Sequence, residues 1–262
     1  MKGTAVRIGP PPRTVELTVN FGRVQALDAV SLALPAGAVI AIVGENGAGK
    51  TTLVKLLAKM YEPSSGAIFV DDTPLARIPA GEWRARLGGT FQDFLRFEFR
   101  ARQTVGLGDV ARVDDEDAVV AAVDRAGARD VVARLPSGLD TQLGPTWPGG
   151  VDVSFGQWQK LALARGFMRD RPLLLVLDEP TAALDAETEH ALFERYAAAA
   201  RDERADGRIT ILVSHRFSTV RMADIIVVMD GARVVEMGTH DELMARRGQY
   251  AELYGIQAAA YR

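Results

Sequence analysis

Two kinds of apolar pattern alternate along the chain, and together they predict an α/β fold. Residues Thr14–Phe21 alternate between apolar and polar side chains, as in a strand with one buried face. The segments Val39–Val43, Leu173–Leu177 and Ile209–Val213 are apolar throughout, which is typical of parallel strands covered on both faces. Lys50–Met60 instead has the spacing of a helix. Strands that alternate with helices predict a mainly parallel sheet with helices on both sides.

The remaining segments fill in this scheme. Shorter strands are predicted at Ala29–Leu34, Ala67–Val70, Leu87–Phe91, Ile225–Met229 and Arg233–Glu236. Between about Asp93 and Trp158 the chain reads as a mostly helical insert, with a helix in Asp114–Gly127 and a loop rich in Gly and Pro at Leu135–Gly150. Further helices are predicted at Ala186–Arg201, Asp241–Arg247 and Gln249–Ala260.

Composition narrows the possible chemistry. The 31 basic and 34 acidic residues give a net charge of −3, which disfavours binding of nucleic acid through a basic surface. The absence of cysteine excludes disulfides, thiol catalysis and cysteine-ligated metals. No apolar run approaches the roughly 18 to 20 residues that span a bilayer. Residues 1–14, with three consecutive prolines, read as a linker or tail.

A glycine-rich turn between the strand Val39–Val43 and the following helix fits a phosphate-binding loop at every fixed position. Glycine lets backbone amides approach phosphate oxygens, and the N-terminal end of the helix attracts the same anion. Lysine supplies a point charge for the β- and γ-phosphates, and the Thr51 hydroxyl can ligate Mg²⁺. The candidate nucleotide ligands are Gly44, Glu45, Asn46, Gly47, Ala48, Gly49, Lys50, Thr51 and Thr52.

A pair of carboxylates, Asp178 and Glu179, directly follows the buried strand Leu173–Leu177. Two carboxylates at such a place are costly to bury without a cation, and parallel sheets bind ligands at the carboxyl ends of their strands. Asp178 is therefore predicted to reach the Mg²⁺ shell, and Glu179 to polarise an attacking water as a general base. The alternative interpretation is an acidic cap on a helix that starts near Ala182.

Several further motifs follow in a fixed order. They are Val153-Ser154-Phe155-Gly156-Gln157, Asp178-Glu179-Pro180, Ala183-Leu184-Asp185 and Ser214-His215-Arg216. As an ordered set with the phosphate loop, they resemble the nucleotide-binding domain of ATP-binding-cassette (ABC) proteins, over about Val15 to Tyr254. The resemblance implies that the chain binds ATP with Mg²⁺ and hydrolyses it.

The resemblance also implies roles for single residues. Phe21 would stack on adenine, where the usual residue is tyrosine; the alternative is an ordinary core aromatic at a strand end. Gln92 would sense Mg²⁺ and the attacking water, and His215 would contact the γ-phosphate. Mg²⁺ would be held by Thr51, Gln92 and Asp178. Asp185 would communicate between the two sites of a dimer. His190 and His240 match no catalytic position, so both are expected to be ordinary exposed residues.

The fold implied by the resemblance is a P-loop NTPase core with a mainly parallel sheet, an N-terminal antiparallel β subdomain and an inserted α-helical subdomain. The expected ATPase core with its β subdomain comprises residues 15–92 and 159–262. The expected helical subdomain comprises residues 93–158 and carries the signature motif.

The sequence departs from the family in the signature motif Ser154, Phe155, Gly156 and Gln157, which would contact ATP bound to a partner domain. Phe155 replaces the first glycine of the usual Leu-Ser-Gly-Gly-Gln. A benzyl group adds bulk and restricts φ, so either the loop tilts or the ring points away from the nucleotide. We hypothesise that sites built with this motif hydrolyse ATP poorly, which would suit one half of an asymmetric heterodimer.

Three phenylalanines, Phe94, Phe97 and Phe99, lie among charged residues just after Gln92. By the resemblance, they mark the surface that receives the membrane subunit; the alternative is local packing within the helical insert. The short insert and the segment Met237–Leu243 are most similar to bacterial exporters. The expected partners are a second such domain, in a homo- or heterodimer, and a transmembrane domain at the cytoplasmic face of the membrane. The alternative classes are a non-transport ABC ATPase of DNA repair or translation and a hydrolysis-impaired cassette.

Overall fold

A computed structural model describes residues 12–180 and 207–260 of the chain. The chain divides into two compact units, a first unit of Met1–Ala85 with Ala200–Arg262 and a second unit of Arg86–Ala199. The predicted helix Ala186–Arg201, His190 within it and the candidate residue Asp185 lie outside the described residues. Within the described ranges, no helix has both the length and the apolar character needed to cross a bilayer.

The first unit contains an antiparallel sheet with strand order β2-β1-β4-β5. Its strands are β1 (Arg13–Phe21), β2 (Val24–Ala33), β4 (Ser65–Val70) and β5 (Thr73–Pro74). Strand β2 begins five residues before the predicted Ala29. The chain turns tightly at Gly22, which has a left-handed φ of 61°. This turn pairs Phe21 directly with Val24, so β2 starts there.

The first unit also holds four strands in the order β10-β9-β3-β8. Strand β3 (Val39–Gly44) runs parallel to both β8 (Ile209–Val213) and β9 (Ile225–Asp230), whereas β10 (Arg233–Gly238) is antiparallel to β9. The middle of β3 is buried, as expected for a strand with neighbours on both edges and helices on its faces.

The helices of the first unit are α1 (Lys50–Leu57), α2 (Ala80–Arg84), α7 (Phe217–Val220), α8 (His240–Arg246) and α9 (Gln249–Ala260). Helix α1 ends three residues before the predicted Met60, because Lys59 has a left-handed φ of 51°. One buried cluster joins Val43 of β3 to Phe217 of α7, Leu243 of α8 and Tyr250 of α9. The two closing helices are therefore part of the core beneath strand β3.

Over its described residues, 86–180, the second unit combines two parallel strands with four α-helices. Strands β6 (Leu87–Thr90) and β7 (Leu174–Asp178) pair in register, with Thr90 opposite Leu177. The helices are α3 (Ala101–Gly106), α4 (Glu116–Arg125), α5 (Arg129–Arg134) and α6 (Phe155–Gly166). Helix α4 begins after Asp115, whose carboxylate accepts a hydrogen bond from the Ala118 amide at 3.0 Å.

Helix α6 approaches strand β6 closely at a pair of glycines. A Cβ atom at Gly166 would lie 2.5 Å from the carbonyl oxygen of Gly89, so this contact requires glycine in the helix. Helix α6 also packs against α3 and α4. The mixed α/β fold class with an antiparallel β part and added helices is confirmed.

Candidate functional site

The phosphate loop runs from the end of β3 to the start of α1 and bends at glycines. Gly44, Gly47 and Gly49 have φ values of 147°, 83° and 95°, which side-chain-bearing residues rarely adopt. At Gly44 a Cβ atom would lie only 2.0 Å from the Met229 carbonyl oxygen. Gly49 is the N-cap of α1, so the first-turn amides of the helix follow directly on the loop. This is the backbone geometry that an anion-binding loop requires.

Lys50 is 7% exposed, and its ammonium group lies across the loop. Its Nζ donates hydrogen bonds to the carbonyl oxygens of Gly44 and Glu45, each at 2.8 Å. These contacts hold the positive charge at the loop, where the helix N-terminus adds its own positive potential. Thr51 and Thr52 are half-buried in the first turn of α1.

Phe21 ends strand β1 and is 54% exposed. Its ring meets the ring of Tyr61 edge to face, with centroids 5.6 Å apart and an interplanar angle of 84°. The interpretation of Phe21 as an ordinary core aromatic is therefore wrong. A ring that is about half exposed can stack on a planar ligand, and stacking on adenine stays a prediction.

In the second unit, the structure brings together Gln92 and Glu179, which are 87 residues apart in the sequence. The Gln92 Nε2 atom donates a hydrogen bond of 2.9 Å to Glu179 Oε2. Gln92 follows β6 and Glu179 follows β7, and parallel strands end at the same sheet edge. Asp178, the last residue of β7, is fully buried.

The backbone of Glu179 is held in an uncommon conformation. Its φ of 47° is left-handed, which costs about 1 kcal/mol or more for a residue with a side chain. The Glu179 carbonyl oxygen accepts a hydrogen bond from Nε2 of Gln159, a buried residue of α6, at 3.4 Å. Sequence reasoning missed Gln159, because a glutamine on a helix gives no signal of its own.

The signature motif starts helix α6 with an intact cap. Ser154 Oγ accepts from the Gln157 amide, and Gln157 Oε1 accepts from the Ser154 amide at 2.8 Å. This reciprocal capping box makes Phe155 the first helical residue, so its backbone does not need the conformational freedom of glycine. Of the two expected consequences of Phe155, a distorted loop is therefore not observed.

The ring of Phe155 packs on the segment that follows Gln92. Its centroid lies 5.6 Å from that of Phe94, and the Arg96 guanidinium lies 5.3 Å above the ring. Phe155 nevertheless remains 49% exposed. The ring thus contacts its own chain while about half of its surface stays exposed at the start of the helix.

The other two phenylalanines of this segment are also engaged locally. Phe97 stacks on Phe99 at 5.9 Å and lies 4.8 Å beneath the guanidinium of Arg165, which also donates two hydrogen bonds to the Leu95 carbonyl oxygen. Burial lowers the pKa of Arg165 to about 10. Leu95 and Phe99 remain 68% and 43% exposed, so apolar surface stays open to solvent here.

His215 lies two residues after β8 in the first unit, and its side chain is exposed. Its carbonyl oxygen accepts a hydrogen bond from Gln257 of α9.

His240 differs from the expectation of an ordinary exposed residue. It is half-buried, and its Nδ1 lies 2.8 Å from the hydroxyl of the buried Tyr250. Among the candidate residues, Phe21, the phosphate loop and His215 belong to the first unit; Gln92, Asp178, Glu179 and the signature motif belong to the second.

The chain has a phosphate loop between a buried parallel strand and a helix, and a carboxylate pair at the end of another parallel strand. These two features define a P-loop nucleotide-binding protein. The family model described as ABC transporter matches residues 27–182. The chain therefore belongs to the ABC transporter family.

Relatives with known names agree with this membership. The chain is 39% identical over 245 residues to the ATP-dependent lipid A-core flippase of Methylococcus capsulatus, covering 94% of this chain and 39% of the relative. It is 40% identical over 250 residues to the flippase of the same name from Pseudomonas fluorescens, covering 95% of this chain and 40% of the relative. The chain thus spans about two fifths of the length of these curated relatives.

A solved structure of a bacterial Atm1-family ABC exporter with ATP bound is similar to this chain. The TM-score is 0.85 at 34% identity, and the match covers 97% of this chain and 43% of the exporter chain. The likeness extends over nearly all of this chain, which confirms the predicted fold and its likeness to exporters.

Proposed function

We propose that this chain is the nucleotide-binding and ATP-hydrolysing domain of an ABC exporter. The observation that carries the proposal is the hydrogen bond from Gln92 to Glu179, because it joins the two residues assigned to the attacking water. The intact phosphate loop and the exporter relatives support it. The second part of the proposal is that two such domains associate head to tail and drive translocation through a membrane domain.

In the proposed reaction, Lys50 and the amides of the phosphate loop bind the phosphates, and Phe21 stacks on the base. Glu179 accepts a proton from the attacking water, while the Gln92 amide holds the Glu179 carboxylate in position. His215 binds the γ-phosphate. These groups lower the barrier by placing the reactants and by stabilising charge that develops on the phosphate oxygens.

The donor set fits magnesium. Thr51 offers a hydroxyl, Asp178 a carboxylate, and Gln92 an amide oxygen, and Mg²⁺ prefers such hard oxygen ligands. When bound, Mg²⁺ would neutralise charge on the phosphates. We assign Thr51, Asp178 and Gln92 to this role.

The remaining roles concern partners. The signature residues Ser154, Phe155, Gly156 and Gln157 serve the ATP site of the second domain, and Asp185 links the two sites. Residues 93–158 act as the helical subdomain that presents the signature. The domain works at the cytoplasmic face of a membrane, attached to transmembrane helices. A hydrolysis-impaired cassette of an asymmetric heterodimer is the second candidate, and Phe155 is the observation that favours it.

The 262-residue chain is expected to release phosphate from Mg²⁺-ATP, with a rate per chain that rises with chain concentration. The reason is that each complete site needs the signature motif of a second chain. The measurement is phosphate release over a range of chain concentrations, combined with analytical ultracentrifugation with and without ATP. Failure to bind ATP would refute both candidates, and binding without hydrolysis would refute the first and favour the hydrolysis-impaired cassette. A constant rate per chain without dimers would refute the paired site.

Docking of the membrane domain is proposed on the exposed residues Leu95 and Phe99, next to the locally packed Phe94 and Phe97. Changing both Leu95 and Phe99 to serine is expected to weaken binding to membranes that contain the partner membrane domain by about fivefold, since buried apolar anchors dominate interfaces. Co-sedimentation measures the binding.

The matched control is Val110→Ser, because Val110 is also in the second unit and is 69% exposed. ATP affinity should stay unchanged in both variants. Equal loss of docking in the control, or no loss in the double variant, would contradict this docking surface.

A further inference from the structure

The side chain of Gln257 bridges two points of the loop that carries His215. Its Nε2 donates to the carbonyl oxygen of His215, and its Oε1 accepts from the amide of Phe217 at 3.2 Å. One amide group therefore pairs both backbone groups that flank Arg216. The Arg216 amide is paired as well, because it donates to Ser214 Oγ at 3.0 Å. We call this pair of Gln257 contacts the Gln257 bridge.

The bridge also serves the start of a helix. Phe217 is the first residue of α7, and the first amides of a helix have no partner within it. Gln257 supplies that partner from another element, 40 residues further along the chain. The conformation of the His215 loop thus depends on the position of helix α9.

Helix α9 is itself fixed near its N-terminal end. Tyr250 is fully buried, and its hydroxyl lies 2.8 Å from Nδ1 of His240 on α8. Burial raises the pKa of Tyr250 to about 12, so the phenol stays protonated and can donate to that nitrogen near neutral pH.

The same helix packs on the loop through aromatic rings. Tyr250 and Tyr254 contact the ring of Phe217, with centroids 5.3 and 5.7 Å away. Tyr250, Tyr254 and Gln257 have the spacing i, i+4 and i+7, which places them on one helix face. That face therefore holds the loop by packing at Phe217 and by hydrogen bonds on both sides of Arg216.

We propose that Gln257 is a positioning residue for His215. Through it, helix α9 fixes the backbone conformation from which the His215 side chain reaches the γ-phosphate. The catalytic part of this inference rests on the proposed function. The His215 side chain is exposed, and its backbone carbonyl is one of the two groups that the bridge holds. Loss of the bridge should therefore act on the transition state more than on ground-state binding of ATP.

Two substitutions separate the two hydrogen bonds of the bridge. Gln257→Met keeps the length of the side chain but loses both the donor to His215 and the acceptor for the Phe217 amide. Gln257→Glu keeps the acceptor for the Phe217 amide and loses only the donor to His215. Ile256→Ala is the matched control, because Ile256 is the preceding residue of the same helix and is 63% exposed. Thermal unfolding of each full-length variant checks that the fold is kept.

The first measurement is hydrogen exchange of the Phe217 amide, followed by NMR in the chain without nucleotide. Gln257→Met is expected to speed this exchange by about tenfold, because the amide loses its acceptor. Gln257→Glu and Ile256→Ala should leave the exchange within about twofold of the wild type. This measurement does not depend on ATP hydrolysis.

The second measurement is steady-state ATPase kinetics. Gln257→Met is expected to lower kcat by about fivefold with KM changed by less than about twofold, and Gln257→Glu should lower kcat by at least as much, because it loses the same donor to His215. Ile256→Ala should match the wild type. Faster exchange together with a selective loss of kcat supports the proposal.

Each other result overturns a defined part of it. Unchanged Phe217 exchange in Gln257→Met refutes the bridge. Faster exchange with unchanged kcat refutes positioning of His215, and a rise in KM as large as the fall in kcat also does so. If the wild-type chain fails to hydrolyse ATP, the proposed function and the catalytic role fall together, whereas the exchange measurement still decides whether the bridge exists.

Discussion

Replacing Glu179 with glutamine is expected to lower ATP turnover by about a thousandfold while leaving ATP binding intact. A positioned general base contributes about 10² to 10⁴ to a rate, and an amide cannot accept the proton of the attacking water. Glu179 suits this role because its carboxylate accepts a hydrogen bond of 2.9 Å from Gln92 Nε2, which orients it. Its backbone has a left-handed φ, and its carbonyl oxygen accepts a hydrogen bond from Gln159. Single-turnover phosphate release and equilibrium binding of ATP are the two measurements.

The contrasting variant is Lys50→Met, which removes the point charge at the phosphate loop. Lys50 is buried against the Gly44 and Glu45 carbonyls, so its loss should weaken ATP binding itself. Glu179→Gln should retain ATP and accumulate ATP-bound dimers, whereas Lys50→Met should form none. Turnover of Glu179→Gln within tenfold of the wild type would mean that another group acts as the base.

The parts of the site that follow an apolar strand were predictable from sequence. Asp178 ends a buried strand, where a charge needs a ligand or partner to explain it, and Lys50 ends the glycine-rich loop that follows another apolar strand. The resemblance to ABC proteins added Gln92, for which the residue type and position alone carry no signal. The structure then showed the contact between Gln92 and Glu179 that no local pattern encodes.

Other features could not be predicted, because they depend on contacts between distant segments. Gln257 is a polar residue near the end of a helix and looks ordinary in sequence, yet its amide pairs with both ends of the His215–Phe217 segment. His240 was expected to be exposed, but Tyr250 buries part of it. The observed ends of helices and strands differ from the predicted ends where a residue such as Lys59 adopts a left-handed φ. Intrinsic propensity alone does not determine where such a turn occurs.

Phe155 departs from the family motif, and its structure changes the reason for expecting slow hydrolysis. Because the capping box keeps Phe155 in a regular helical conformation, backbone strain does not explain a defect. The remaining cause is the ring, which is 49% exposed at the N-terminal end of α6, where an anion would approach the first amides of the helix.

Changing Phe155 to glycine is therefore expected to raise the ATPase rate of the paired chain by about tenfold. A hydrogen bond to a charged group contributes about 1.5 to 3 kcal/mol, and about 1.4 kcal/mol corresponds to a tenfold change in rate. The measurement is kcat of the 262-residue chain at saturating Mg²⁺-ATP and at a concentration where dimers form. Loss of the contact with Phe94 should lower stability by about 1 kcal/mol, which thermal unfolding reports separately.

Phe155→Ala distinguishes the bulk of the ring from the close approach that only glycine allows. Alanine removes the ring but keeps a Cβ atom and favours the helix. Equal activation by alanine and glycine would assign the defect to the ring, and activation by glycine alone would assign it to the Cβ atom. Unchanged turnover in both variants would show that the aromatic ring is compatible with full activity. The proposal of a hydrolysis-impaired cassette would then lose its only support.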